Sequence, residues 1–168
     1  MSADIKTAIV INGSPEELEA MLKALSFFET EMYEQYKKKQ RCAYIDKVRI
    51  WGSERKVYLN DLSDEKIRAL VSKSENSLII EAEGPYGYYS MLEEVGLFEY
   101  LAEAAPTAGF SGSSEGYITG AEVALNGELK NGLLNTSHYY REDEEEDMVE
   151  DDCWDSGKIY DPVMKEYL

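Results

Sequence analysis

The sequence predicts an α+β domain in which helices cover one face of a mostly antiparallel sheet. Three observations carry that prediction. Short β-branched runs alternate with segments of helical period through the first half of the chain. The strand-like runs are separated by turn residues, which suits antiparallel neighbours. Beyond residue 108 the pattern turns to strand alternation punctuated by glycine and asparagine.

Taken in order, residues 7–11 (TAIVI) read as a strand, and Asn12-Gly13 turns the chain. Ser14-Pro15-Glu16-Glu17 is a helix start. Ser14 suits the cap, Pro15 the first helical position, and Glu17 closes a capping box. Leu18, Met21, Leu22, Leu25 and Phe28 recur at helical spacing, so the helix buries one face and runs toward Tyr36. Residues 37–41 (KKKQR) are the one basic cluster and read as a solvated helix end, where cations suit the dipole. Residues 43–51 (AYIDKVRIW) and 56–59 (KVYL) form two strands of a hairpin. Ser63 caps a second helix over 64–73, with Ile67, Leu70 and Val71 on one face.

Residues 77–82 (SLIIEA) form a strand that Gly84-Pro85-Tyr86-Gly87 breaks. Helical spacing returns over 88–104 through Met91, Leu92, Val95, Phe98 and Leu101, with Gly96 as a weak point. Residues 117–119 and 122–125 read as one strand with a bulge at Gly120. Asn126-Gly127 reads as a hairpin turn, residues 128–134 as its return strand, and Asn131-Gly132 as a further turn. The late apolar residues Trp154, Ile159, Tyr160, Val163, Met164 and Leu168 dock the C-terminus back onto the body.

The opening order is βαββαβ, the ferredoxin-like succession. The fold class is therefore α+β, a ferredoxin-like antiparallel sheet with helices on one face, plus a C-terminal hairpin and an acidic segment. Residues 1–83 form the ferredoxin-like part. Residues 84–140 add a helix and a β-hairpin that share its core. Residues 141–168 hold the acidic segment and the docked C-terminus.

Charge sharpens the functional reading. The chain of 168 residues has 34 acids, 17 bases and a net charge of −17. Residues 1–73 hold 12 acids and 13 bases, whereas residues 74–155 hold 20 acids and only Lys130 and Arg141. That second segment carries −18, and residues 141–155 (REDEEEDMVEDDCWD) alone carry ten acids. Such asymmetry is a partner signal, although acidic runs commonly serve solubility alone. Direct binding to DNA or RNA is disfavoured, because phosphate contacts need clustered Lys and Arg. Anionic membrane surfaces are disfavoured likewise. Hydrophobic residues at 43% and aromatics at 11% exclude a disordered acidic chain. No apolar stretch reaches the roughly 18 residues a membrane span needs, and the N-terminus lacks the features of a signal peptide. Cys42 and Cys153 read as reduced thiols, so the expected compartment is the cytoplasm.

Catalytic patterns are missing from the sequence. His138 is the single histidine and reads as structural. There is no GxSxG elbow, no phosphate loop ending in GKS or GKT, no zinc-ligand spacing, and no calcium loop with its central glycine. No cofactor and no metal are expected. Glu81 and Glu83 share a strand face, with Cβ atoms roughly 7 Å apart at about 3.3 Å rise per residue. Such a pair serves acid–base chemistry or an ordinary solvated face. Carboxylates at that spacing also approximate successive phosphates of a nucleic-acid strand, so rows of them fit a basic cleft. The candidate partner-binding residues are Glu142, Asp143, Glu144, Glu145, Glu146, Asp147, Glu150, Asp151 and Asp152 in the run, with Glu81 and Glu83. Tyr86, Tyr88, Tyr89, Tyr139 and Tyr140 flank loops or acids and join them as interface anchors. Tyr100 and Tyr117 read as core aromatics.

A family resemblance covers residues 77–134, about a third of the chain. The strand SLIIEAEGPYG, the helix YYSMLEEVGLFEYLAEAAP and the segment FSGSSEGYITGAEVALNGEL resemble the ferredoxin-like domains of small proteins carried by phages and mobile elements. TAIVINGSPEELEAMLKAL is similar to their usual opening. The resemblance implies no catalytic residues and points to phage–host conflict. The leading expectation is a phage-encoded inhibitor of a basic nucleic-acid-handling protein, a CRISPR effector or a nuclease, with an anti-CRISPR protein as the concrete form. The alternatives are an immunity protein neutralising a nuclease toxin, a small hydrolase or nucleotide-processing enzyme, and a structural phage protein.

Overall fold

A computed structural model describes residues 4–36, 48–52, 55–84, 96–118, 120–142, 153–154 and 157–168. The elements in chain order are β1 (Asp4–Asn12), α1 (Pro15–Tyr36), β2 (Arg49–Gly52), β3 (Arg55–Tyr58), a 3-10 turn (Leu59–Asp61), α2 (Asp64–Ser72) and β4 (Ser77–Gly84). They continue with α3 (Leu97–Ala104), β5 (Gly109–Ile118), β6 (Ala121–Lys130), β7 (Leu133–Glu142), β8 (Cys153–Trp154), β9 (Lys158–Asp161) and β10 (Glu166–Tyr167). The basic cluster at 37–41, Cys42 and residues 43–47 of the strand expected over 43–51 lie outside the described residues, and β2 covers the rest of that strand from Arg49.

The strands form one sheet in the order β10-β9-β7-β6-β5-β1-β4-β2-β3, with β8 paired beside β7. All neighbouring pairs are antiparallel. The α+β class stands, and the sheet is far larger than four strands and a hairpin. The βαββαβ succession is present over β1–β4. Its strand order is β1-β4-β2-β3, and β1 is flanked by β4 and β5. The ferredoxin-like expectation is thus met in element succession and not in strand neighbours.

Alternation explains which face is covered. On β1, Ile5, Thr7, Ile9 and Ile11 are buried, whereas Lys6, Ala8, Val10 and Asn12 are exposed. The same phase on β4 buries Leu78, Ile80 and Ala82. On β6 it buries Ala121, Val123, Leu125 and Leu129. Thr7 and Ala121 apart, these meet Leu18, Met21, Leu22 and Leu25 of α1, Ile67, Leu70 and Val71 of α2, and Leu97, Phe98 and Leu101 of α3 in one apolar cluster. α1 packs against both other helices, and Phe28 meets Tyr100 of α3 with ring centroids 5.2 Å apart.

The helix starts follow their sequence signals. Ser14 N donates to Glu17 Oε1 at 2.9 Å and Glu17 N donates to Ser14 Oγ at 3.2 Å, the reciprocal capping box. Thr107 also donates to Glu17, and these bonds hold its carboxyl below its ordinary value, the Thr107 bond contributing most. Ser63 caps α2 by accepting from Lys66 N. Gly96, at φ +88°, stands at the N-cap of α3, and residues 85–95 lie outside the described residues.

Two turn expectations are corrected. Asn126-Gly127 lies inside β6 and is not a hairpin turn. A Cβ on Gly127 would come within 2.7 Å of the Phe98 ring, and one on the cross-strand Gly112 within 2.9 Å of it. The glycine is needed for a close approach, not a bend. The turn falls instead at Asn131-Gly132, both at positive φ, between β6 and β7. Gly120, at φ +80°, belongs to the β5–β6 turn and not to a bulge inside one strand.

The C-terminus docks as expected through β9, which pairs with β7. Tyr160 is buried and its hydroxyl donates to Glu103 of α3. Tyr167 of β10 donates to Glu99, and the two tyrosine rings lie 4.8 Å apart. Asp161 Oδ1 accepts from Val163 N and Met164 N, which fixes the turn between the strands. Ile159, Val163, Met164 and Leu168 are exposed and add nothing to the core.

Candidate functional site

No helix lies over the second face of the sheet among the described residues. The strand registers lay out its side chains in rows. One row runs Lys56, Trp51, Ile79, Val10, Ser111, Glu128, Asn135, Ile159. The next runs Tyr58, Arg49, Glu81, Ala8, Ser113, Asn126, Ser137. A third runs Glu83, Lys6, Glu115, Ala124, Tyr139, Trp154, and a fourth Asp4, Tyr117, Glu122, Arg141.

Small residues in the middle of these rows leave a furrow parallel to the strands. One hollow of about 580 Å³ has Ala8, Ser111, Ser113, Asn126, Asn135 and Ser137 along it. A neighbouring hollow of about 720 Å³ is lined by Lys6, Glu115, Tyr117, Glu122, Ala124 and Tyr139. From Ser111 to Tyr117 on β5 the distance is about 20 Å at about 3.3 Å per residue. The first hollow offers hydroxyl and amide groups, and the second offers carboxylates and phenol rings.

Most carboxylates of this face stand opposite a base on a neighbouring strand. Glu81 stands opposite Arg49, Glu115 opposite Lys6, and Glu122 opposite Arg141. Glu81 also accepts a hydrogen bond from Trp51 Nε1. Glu122 accepts from the Tyr139 hydroxyl at 3.3 Å. Glu128, opposite Ser111 and Asn135, has no base as its cross-strand neighbour.

The sequence-derived site residues are therefore distributed unevenly. Glu81 is on the open face and partly buried, and Glu83 occupies the next position of that face in register with Lys6. Tyr140 is 45% exposed near the end of β7. Tyr139 is only 8% exposed, so it lines the furrow wall and is not a protruding anchor. Tyr117, read as a core aromatic, is 44% exposed because its strand phase places it on the open face. Tyr100 packs partly buried against the core, as read. Glu142 ends β7 opposite Ala121. Residues 143–152 with their carboxylates, and Tyr86, Tyr88 and Tyr89, lie outside the described residues.

Trp51, Glu115 and Glu122 were missed as members of this face. The signal for the two glutamates was the period of two along β5 and β6, obscured by the turn assigned at Asn126-Gly127. His138 is half-buried on β7 opposite Leu125. Among the described residues no group of three or more His, Cys, Asp or Glu side chains is arranged to hold a metal ion, and no helix is long and apolar enough to cross a membrane. No protein-family model, curated protein or solved structure matches the chain.

Proposed function

We propose that the chain is a phage-encoded acidic inhibitor that occupies the basic cleft of a nucleic-acid-handling enzyme, a CRISPR effector in the first instance, in the host cytoplasm. The observation that carries this reading is the −18 confined to residues 74–155, beside a first segment of net +1. Electrostatic steering by such a charge accelerates encounter with a basic partner and suppresses encounter with nucleic acid. Most carboxylates of the described open face stand opposite a base, so the interface is assigned to the acidic run that follows β7, with exposed Tyr140 beside its start.

The test replaces Glu142, Asp143, Glu144, Glu145, Glu146 and Asp147 together by Gln or Asn. Exposed charges are worth only about 0.2–1 kcal/mol each, so single replacements change little. The grouped variant associates more slowly with the target, and affinity for the parent falls as salt rises. Mobility shifts with CRISPR effectors, nuclease toxins, DNA and RNA identify the partner. A nuclease toxin as sole partner makes the chain an immunity protein. Unchanged inhibition by the grouped variant, or tight binding to free nucleic acid at ~150 mM salt, overturns the proposal.

A further inference from the structure

The opposite end of the sheet has a different character. β3 ends the strand order there and, among the described residues, has β2 as its single neighbour. Leu59 N donates to Val48 O at 2.9 Å, one step beyond the β2–β3 ladder. Antiparallel ladders alternate, so the main-chain groups of Arg55 and Val57 turn toward β2. Those of Lys56 and Tyr58 turn outward and find no strand among the described residues. An edge of this kind accepts an added strand.

Beside the edge is a hollow of about 300 Å³ with Arg55, Lys56 and Lys66 on its wall, against the single acid Asp61. Val57 and Leu70 supply an apolar floor. Three bases to one acid is the reverse of the balance in a chain of net charge −17. The Lys56 ammonium lies 5.4 Å from the Trp51 ring centroid and 5.2 Å from that of Tyr58, which holds it beside the edge. One strand inward, the buried Nε of Arg49 has no hydrogen-bond partner among the described residues, and Arg49 is the cross-strand neighbour of Tyr58.

We propose that this edge binds an extended acidic segment of a partner protein, which pairs with the outward main chain of β3 and sets its carboxylates against Arg55, Lys56 and Lys66. Lysine on an edge strand ordinarily keeps other strands away. That protection works against neutral and basic strands and turns into attraction for an acidic one. A second copy paired edge to edge is the poorer occupant, because it would set Arg55 and Lys56 of one β3 against those of the other. β3 is separated in the strand order from β7, where the described chain stops ahead of the acidic run.

The test uses the full chain and a fluorescent peptide of alternating Glu and Thr at ~150 mM salt. Two control peptides carry Gln for Glu, or N-methyl groups on alternate amides with every carboxylate kept. The acidic peptide binds saturably, and both controls bind roughly tenfold more weakly or worse. Arg55→Gln combined with Lys66→Gln weakens the acidic peptide to a similar degree. Both side chains are exposed, so circular dichroism and the unfolding midpoint stay unchanged. Absent binding, equal binding by either control peptide, or an unaltered affinity of the double variant overturns the proposal. So does self-association of the chain that Lys66→Gln abolishes, since it makes a second copy the occupant.

Discussion

Phe98 shows how one residue decides the conformation of another that is distant in sequence. Its ring is 1% exposed, stacks on Phe110 with centroids 5.8 Å apart, and rests on the paired glycines Gly112 and Gly127. Asn-Gly is the commonest two-residue signal for a hairpin turn. At 126–127 that local preference yields to burial of an aromatic ring, which is worth several times more than turn propensity. The local signal is obeyed at Asn131-Gly132, where no such ring intervenes. Nothing in the neighbouring sequence separates the two dipeptides, because the difference lies on α3. Replacing Gly127 by Ala drives a methyl group into the ring and is expected to cost about 1–3 kcal/mol. Phe98→Ala, which empties the same space, is expected to cost about 3–5 kcal/mol. Chemical denaturation of the two variants measures both, and a Gly127→Ala protein as stable as the parent would show that the ring does not need the glycine.

Among the elements, those with their own start signals were legible in the sequence. The capping box at Ser14 and Glu17 and the Ser63 cap set the starts of α1 and α2 where the structure has them. Strand phase was legible at the end of β4, where Glu81 and Glu83 were read on one face, and not in the consecutive apolar residues of β1. Alternation was read at 122–125 of β6, but the Gly and Ser residues of β5 give little contrast between faces. For that reason Tyr117 was placed inside and its side of the furrow was missed. The C-terminal pair β9–β10 was foreseen as docked, but not the means of docking. Burial, reinforced by the hydrogen bond to Glu103, pushes the Tyr160 phenol up to about 12 from its ordinary 10. Burial and the bond to Glu99 raise Tyr167 as well. A phenol raised in the folded state stabilises that state fully below its unfolded value, and the contribution disappears as pH rises through the folded value. β9 and β10 are therefore expected to stay docked to pH 10 and to loosen toward pH 12. Amide exchange of Lys158–Asp161 followed across that range, with tyrosinate absorbance alongside, reads the event. Tyr160→Phe removes the ionisable group, so loosening with an unchanged midpoint in that variant would assign the transition to Tyr167 or to global unfolding.

At the scale of the whole molecule, charge and architecture divide the chain differently. The sheet runs without interruption from β3 to β10 and buries one apolar cluster, whereas the charge changes character between residues 73 and 74. Composition made that division legible. It could not reveal that the carboxylates of β4, β5 and β6 mostly face bases across the ladder, because register depends on tertiary pairing. The excess is thereby concentrated in the run beyond β7, and the inhibitor proposed above would act by occupying its target. Inhibition is accordingly expected to saturate near equimolar protein and target. The target recovers its function once high salt dissociates the complex. His138→Ala is expected to leave inhibition intact, provided circular dichroism shows that β7 still folds around Leu125 and Leu134. An enzyme behaves otherwise, since one molecule turns over many targets. Inactivation by substoichiometric protein, a covalently altered target, or a cleaved nucleotide that His138→Ala abolishes would each reject occupation and install catalysis in its place.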